Sequence, residues 1–239
     1  MPKILKVKDE SDNFHKPMPT FDIPFKILIN GKSQLSGKTT IVLNILLNPQ
    51  FGYHDRFKGD NIYIVSDNKL DNKLKMLAEY KEIPEENIMS YDETILDDLY
   101  DELEDQFMVE KAENDIQNRL IIFDDVGYSG NLKNKNFGII SKLVANGRHL
   151  NLSQIYTSQR FTMVSTTVKS NLTGAILFSS PMNELELIAE SFNYLKSKKA
   201  FIEMFREYTS QPRSFLVVNF TNKDGLYQDT EFKTIKQNE

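Results

Sequence analysis

From Phe21 onward the chain alternates short apolar runs with segments whose apolar positions recur at helical spacing. That alternation predicts βαβ units around a mainly parallel sheet. The runs Lys26–Asn30, Asn61–Ser66, Ile88–Ser90, Leu120–Phe123, Ser153–Thr157, Ala175–Phe178 and Ser214–Val218 read as strands. Helical patterns cover about 38–47, 70–81, 93–113, 136–146, 165–171 and 198–208, and Leu185, Ile188, Phe192 and Leu195 mark one more. Asn48-Pro49 should stop the first helix, because a residue before proline is pushed out of the α region. In the segment 93–113, Leu96, Leu99, Leu103 and Phe107 make one apolar stripe, and the acids beside it (Asp97, Asp98, Asp101, Glu102, Glu104, Asp105) read as its solvated face. Residues 1–20 are polar, carry three prolines and read as an N-terminal arm; residues 21–239 read as a single domain. The tail GLYQDTEFKTIKQNE is either an edge strand or loose.

Composition narrows the class. A chain of 239 residues with 40% hydrophobic and 26% charged residues is globular rather than disordered. Its longest apolar runs fall short of the ~18 residues of a membrane span, and the N-terminus lacks the apolar core of a secretory signal. With no cysteine there is no disulfide framework and no thiolate metal site, and three scattered histidines make no metal cluster. An intracellular setting is the expectation. The formal charge of −5 argues against a basic nucleic-acid glove formed by one monomer.

The candidate chemistry begins at the end of the first strand, in the segment Gly31-Lys-Ser33-Gln34-Leu35-Ser36-Gly37-Lys38-Thr39-Thr40. A nucleoside triphosphate needs many donors in a small space, and a strand–loop–helix supplies them from backbone N–H groups and the helix N-terminus. Lys38 adds a charge for the β- and γ-phosphates, and Thr39 offers a hydroxyl to Mg²⁺. The usual spacing puts glycine where Lys32 stands, so Gly31 comes one residue early; a one-residue bulge would absorb the difference. Gly-Lys-Thr alone is weak evidence. The apolar strand running in and the apolar helix running out are what make it a phosphate loop, and the plain alternative is a connection rich in small residues.

Asp124 and Asp125 abruptly end the apolar run Leu120-Ile-Ile-Phe. In parallel sheets ligands gather at carboxyl strand ends. Asp124 is the expected Mg²⁺ ligand, and Asp125 the group that orients or activates the attacking water. Many ATP-driven motors place glutamate second, so the shorter Asp125 needs a closer approach of that water. Paired acids opening a turn, Asp125-Val-Gly-Tyr-Ser-Gly, are the plainer reading.

Further on stand Gly147-Arg148-His149, a strand ending in Ser158-Gln159, then Lys169-Ser-Asn and Ala175-Ile-Leu-Phe178. In this order, after a phosphate loop and an Asp-Asp strand, the chain resembles the genome-packaging ATPases of large DNA viruses and virophages (poxvirus-like), within the FtsK–HerA superfamily. The likeness runs from about Phe25 to Phe220. It implies a RecA-like P-loop NTPase with a mainly parallel sheet flanked by helices. It further implies a homo-oligomeric ring, hexamer or pentamer, that hydrolyses ATP with Mg²⁺ to drive double-stranded DNA into a viral capsid or portal vertex. The setting it implies is the virion or the host-cell cytoplasm, in viral factories. Carried over by position, Gln159 is the sensor of the γ-phosphate and Arg148 the arginine finger reaching a neighbour's nucleotide. Lys169 stands where the family often has arginine. A cation near a helix C-terminus also stabilises through the dipole, ~0.3–1 kcal/mol, which is the structural alternative for Arg148. Lysines 133, 135, 196, 198 and 199 are candidate DNA contacts or plain solvated surface. Other FtsK–HerA-type or helicase-like DNA translocases, a P-loop kinase without an arginine-rich lid, and a slow nucleotide-gated scaffold are the alternatives.

Overall fold

The computed structural model describes residues 16–32, 36–66, 72–125 and 138–236. Eight strands form one sheet: β1 (Lys26–Asn30), β2 (Ile62–Ser66), β3 (Ile88–Met89), β4 (Arg119–Asp124), β5 (Leu152–Ser158), β6 (Gly174–Phe178), β7 (Phe215–Asn219) and β8 (Tyr227–Gln228). Their order is β3-β2-β4-β5-β1-β6-β7-β8. The first six run parallel, and β7 and β8 join antiparallel. The tail therefore supplies an edge strand.

Seven α-helices cover the sheet: α1 (Lys38–Leu47), α2 (Asn72–Lys81), α3 (Glu93–Glu113), α4 (Ile139–Asn146), α5 (Thr166–Ser170), α6 (Met182–Phe192) and α7 (Lys198–Tyr208). Side chains alternate across a strand. In β4, Leu120 and Ile122 enter one core with Val42, Ile45 and Leu46 of α1 and Leu77 of α2. Ile121 and Phe123 enter the other, with the apolar stripe of α3 and the buried residues of α4–α7. Burial on both faces is what an uninterrupted apolar strand requires.

The element boundaries follow local chemistry. Asn48, before Pro49, leaves the helical region at ψ 117 and caps α1. Asp92 accepts the N–H groups of Thr94 and Ile95 to start α3, and Asn114 ends it in the left-handed region. The stripe Leu185, Ile188 and Phe192 belongs to α6, whereas Leu195 lies beyond its end, partly buried against the same core. The described end of the N-terminal lead-in is tied down. Lys16 bridges Ile23, Asn219 donates to the Thr20 carbonyl, and Phe21 is fully buried with its N–H on the Tyr53 hydroxyl.

Candidate nucleotide site

β1 leads into the phosphate loop with β5 on one side and β6 on the other. Gly31 stays in the ladder, its N–H donating to Ser158 O at 3.0 Å. It does not bulge out of the sheet. A Cβ at Gly31 would fall 2.8 Å from the Cβ atoms of both Phe178 and Ser36. Glycine is needed at this place for close approach, which accounts for a glycine one residue earlier than the usual spacing. Ser36 is buried, with its hydroxyl on Lys32 O at 2.7 Å, and Lys32 itself is exposed. Ser33, Gln34 and Leu35 lie outside the described residues.

Gly37 precedes α1 at φ 86, in the left-handed region that favours glycine. No side chain caps this helix and no acid lies in its first turn. The N–H groups of that turn are therefore available to an anion. Thr39, half-buried, and Thr40, exposed, follow Lys38 in the first turn; the Lys73 ammonium donates to the Thr40 hydroxyl at 2.8 Å. Lys38 is only 6% exposed, its ammonium donating to Gly31 O at 3.0 Å and standing 3.9 Å from Asp125 Oδ1. Burial pulls the Lys38 pKa down, and the charges of Asp125 and Asp124 oppose that shift.

The acids are held from the neighbouring strand. The Thr157 hydroxyl donates to Asp124 Oδ1 at 2.8 Å and accepts the Asp125 N–H at 2.9 Å. Asp124 is buried. Asp125 leaves the strand at φ 52, where aspartate is one of the few non-glycine residues commonly found. That turn brings its carboxylate to Lys38 on one side and to Gln159 Nε2 on the other, at 3.2 Å from Oδ2. Asp125 Oδ1 is buried and accepts no hydrogen bond among the described residues. The remainder of the Asp125-Val-Gly-Tyr-Ser-Gly segment lies outside them.

A buried oxygen without a hydrogen bond, a second buried carboxylate and a hydroxyl at a helix start form an all-oxygen donor set suited to Mg²⁺. Asp124 and Thr39, with Asp125 beside them, are the residues that would hold it.

Sequence reasoning missed two members. Thr157 fixes both acids, yet alternation along β5 cannot say which strand lies beside it. Glu184, on α6, is buried and accepts the Phe161 N–H at 2.5 Å and the Thr162 hydroxyl at 3.1 Å. It thereby pins the turn that follows Gln159. Lys169 packs its ammonium 4.2 Å from the Phe161 ring centre, and burial lowers its pKa.

Arg148 does not join this group. It lies exposed on the short 3-10 turn Gly147–Leu150 ahead of β5, at the opposite strand end from Gln159. Seven strand residues at ~3.3 Å each separate the two ends by roughly 20 Å. Beneath Arg148, Lys26 donates to Val144 O at the end of α4, and burial, then the Arg148 charge, lowers its pKa to about 8. Among the candidate DNA contacts, Lys198 pairs with Glu190 and Lys199 with Glu203, both on the surface; residues 133 and 135 lie outside the described residues. No helix among the described residues is long and apolar enough to cross a membrane.

Comparison with known proteins bears on this site. The family described as Poxvirus A32 protein matches residues 18–233. Comparison with curated proteins finds no match. Among solved structures, the genome packaging NTPase B204 from Sulfolobus turreted icosahedral virus 2, in complex with ATP-gammaS, aligns with a TM-score of 0.58 at 18% identity. That alignment covers 89% of this chain and 98% of the other. B204 described as the DNA-packaging ATPase from Sulfolobus turreted icosahedral virus aligns at 0.54 and 16%, covering 90% and 99%. EssC (ATPases 2 and 3) from Geobacillus thermodenitrificans aligns at 0.58 and 16%, covering 87% of this chain and 39% of that one. At such identities the likeness is one of fold, and the fold is that of a RecA-like P-loop NTPase.

Proposed function

This chain belongs to the poxvirus A32 protein family, and on that premise we propose that it is an ATP-hydrolysing motor that translocates double-stranded DNA into a viral capsid. The observation that carries the reading is the convergence of Lys38, Asp125 and Gln159 at the mouth of an uncapped helix. Phosphoryl transfer asks little covalent chemistry of a protein and much positioning and charge stabilisation. The α1 N-terminus and Lys38 bind the phosphates; Lys38 exchanges its contact with Gly31 O for a phosphate oxygen. Mg²⁺, held by Thr39 and Asp124, would neutralise charge on the β- and γ-phosphates. Asp125 orients the attacking water and accepts its proton. Gln159, bonded to Asp125, reports the state of the γ-phosphate through the turn clamped by Glu184.

Arg148 is the arginine finger of the adjacent subunit, because at the far end of the sheet it faces away from its own nucleotide. A homo-oligomeric ring, of six or five subunits, completes each site with a neighbour's arginine. The match to packaging NTPases in sequence family and fold supports double-stranded DNA as the cargo and a capsid or portal vertex as the dock. The virion or the viral factory in the host cytoplasm is the corresponding setting. A single domain over residues 21–239, with an arm before it, is the unit that assembles.

ATP hydrolysis measured with and without double-stranded DNA tests the reading. Wild type should hydrolyse ATP faster with DNA. Lys38→Ala should remain folded and lose turnover. Equal hydrolysis by a folded Lys38→Ala protein would overturn the site, and turnover indifferent to DNA would overturn the motor.

A further inference from the structure

The hydrolytic groups fix which way a nucleotide lies. Asp124, Asp125 and Gln159 stand on β4 and β5, to one side of β1. A γ-phosphate delivered to them leaves the nucleoside end on the other side, toward β6 and β7. Because β7 runs antiparallel to β6, with Phe215 opposite Phe178, the turn before β7 returns to the same sheet edge as the phosphate loop.

That side is hollow. A cleft of about 600 Å³ is bounded by Lys32, Ser36, Phe178, Ser179 and the turn Thr209–Ser214. It adjoins a second hollow of about 240 Å³, bounded by Gly37, Thr40, Asn44 and Phe215. Ser36, Phe178 and Arg213 border both. The larger volume lies within the ~300–1,000 Å³ common for small-molecule sites. Phe178 and Phe215 meet edge to face at 5.3 Å and give the hollow an apolar floor.

Arg213 is set for contact with a ligand rather than with the protein. Its backbone sits at φ 66, in the left-handed region, and the residue is exposed. The turn around it is fixed: Ser214 donates to Gln211 O through both its N–H and its hydroxyl, and Thr209 donates to Phe205 O. A planar guanidinium on a fixed turn over an aromatic floor stacks well on a flat ring, as arginine does on bases.

We infer that the turn between α7 and β7 is the nucleoside subsite of the phosphate-loop site, with Arg213 contacting the base and ribose of the bound nucleoside triphosphate. This inference rests on the phosphate-loop reading above and adds to it a residue that recognises the part of the ligand remote from the chemistry.

The test compares Mg-ATP with inorganic tripolyphosphate, which presents phosphates and no nucleoside, on the full chain. Arg213→Ala should weaken ATP binding by about tenfold, the effect of ~1.4 kcal/mol, and leave tripolyphosphate binding unaltered. The loss should fall in KM rather than kcat, since the contact is the same in ground and transition states. Arg213→Gly suits the left-handed backbone better than arginine, so the same loss in that variant excludes misfolding as its cause. Lys38→Ala should lose both ligands. Unaltered ATP affinity in Arg213→Ala and Arg213→Gly, or equal losses for ATP and tripolyphosphate, would overturn the inference. In that event a Lys38→Ala protein that still fails to hydrolyse ATP leaves the phosphate-loop reading standing, and one that hydrolyses normally overturns that reading instead.

Discussion

At the residue scale the two adjacent acids do different work because one backbone angle separates them. Asp124 remains in the strand, buried and fixed by Thr157, while Asp125 turns out at φ 52 toward Lys38 and Gln159. Asp125→Asn should therefore still bind Mg-ATP, and hydrolyse it at least ~100-fold more slowly, because an amide cannot take the water's proton. Asp124→Asn should weaken Mg²⁺-dependent binding first. Equilibrium binding of a non-hydrolysable analogue, set beside single-turnover hydrolysis, separates the two; the reverse pattern would exchange their roles. Lys26 gives a second residue-scale outcome. In the folded chain it releases its proton near pH 8, and in the unfolded chain near 10.5. Between these values the unfolded state holds more protons, so rising pH favours folding. Denaturant titrations should show wild type gaining stability relative to Lys26→Met from about pH 8 to 10.5. A flat difference across that window would mean that Lys26 is not charged near neutrality in the way its burial dictates.

At the scale of elements, the functional segments are held by partners distant in sequence. The Arg148 turn is an example: Gln154 Nε2 donates to Leu143 O, Tyr156 donates to Gln154, and Lys26 donates to Val144 O. This buried network caps the end of α4, from which the turn departs. Gly147 passes so close that an added Cβ would meet Gln154 Nε2 at 2.3 Å. Gly147→Ala should thus cost about 1–3 kcal/mol, as overpacking of a filled interior does. It should also displace Arg148, lowering turnover in the assembled protein more than nucleotide affinity in the monomer. Thermal melts and nucleotide titrations measure the two effects apart, and an unaltered melting temperature would refute the close packing.

At the scale of the whole molecule the site is divided between subunits. A finger in trans is worth ~10³-fold or more in rate, so Arg148→Ala should fold, bind ATP and hydrolyse it slowly. Mixed with excess Asp125→Asn protein, which keeps its arginine, it should regain activity, because its own intact phosphate loop then receives a neighbour's Arg148. A helix-end cation alone predicts a loss of ~0.3–1 kcal/mol in stability, near-normal turnover and no complementation. DNA binding belongs to the same scale. With a formal charge of −5 the monomer is a poor polyanion ligand, and a motor must pass any base. Binding should strengthen in the nucleotide-bound oligomer, show little sequence preference, and fall linearly in log affinity with log salt. Tight, salt-insensitive binding to one sequence would indicate a regulator instead.

The sequence by itself determined the elements and the type of chemistry. Apolar periodicity gave the strands and helices, because burial demands a period of two or 3.6 and proline and asparagine stop what they interrupt. The residues around Gly37-Lys38-Thr39 and Asp124-Asp125 marked a phosphate site, because strand-to-loop junctions are where a parallel sheet presents its ligands. Leu195 fell outside its expected helix because apolar spacing alone cannot tell a further helical turn from a loop that packs on the same core. What only the tertiary structure decided were relations between strands. Alternation along β5 placed Thr157 on a face, and only the pairing of β5 with β4 made that hydroxyl the clamp of both acids. The need for Gly31 came from Phe178 on the next strand, and the place of Arg213 from the antiparallel return of β7. Periodicity is a property of one segment. Which segments become neighbours is settled by the packing of all of them, and the site is made of neighbours.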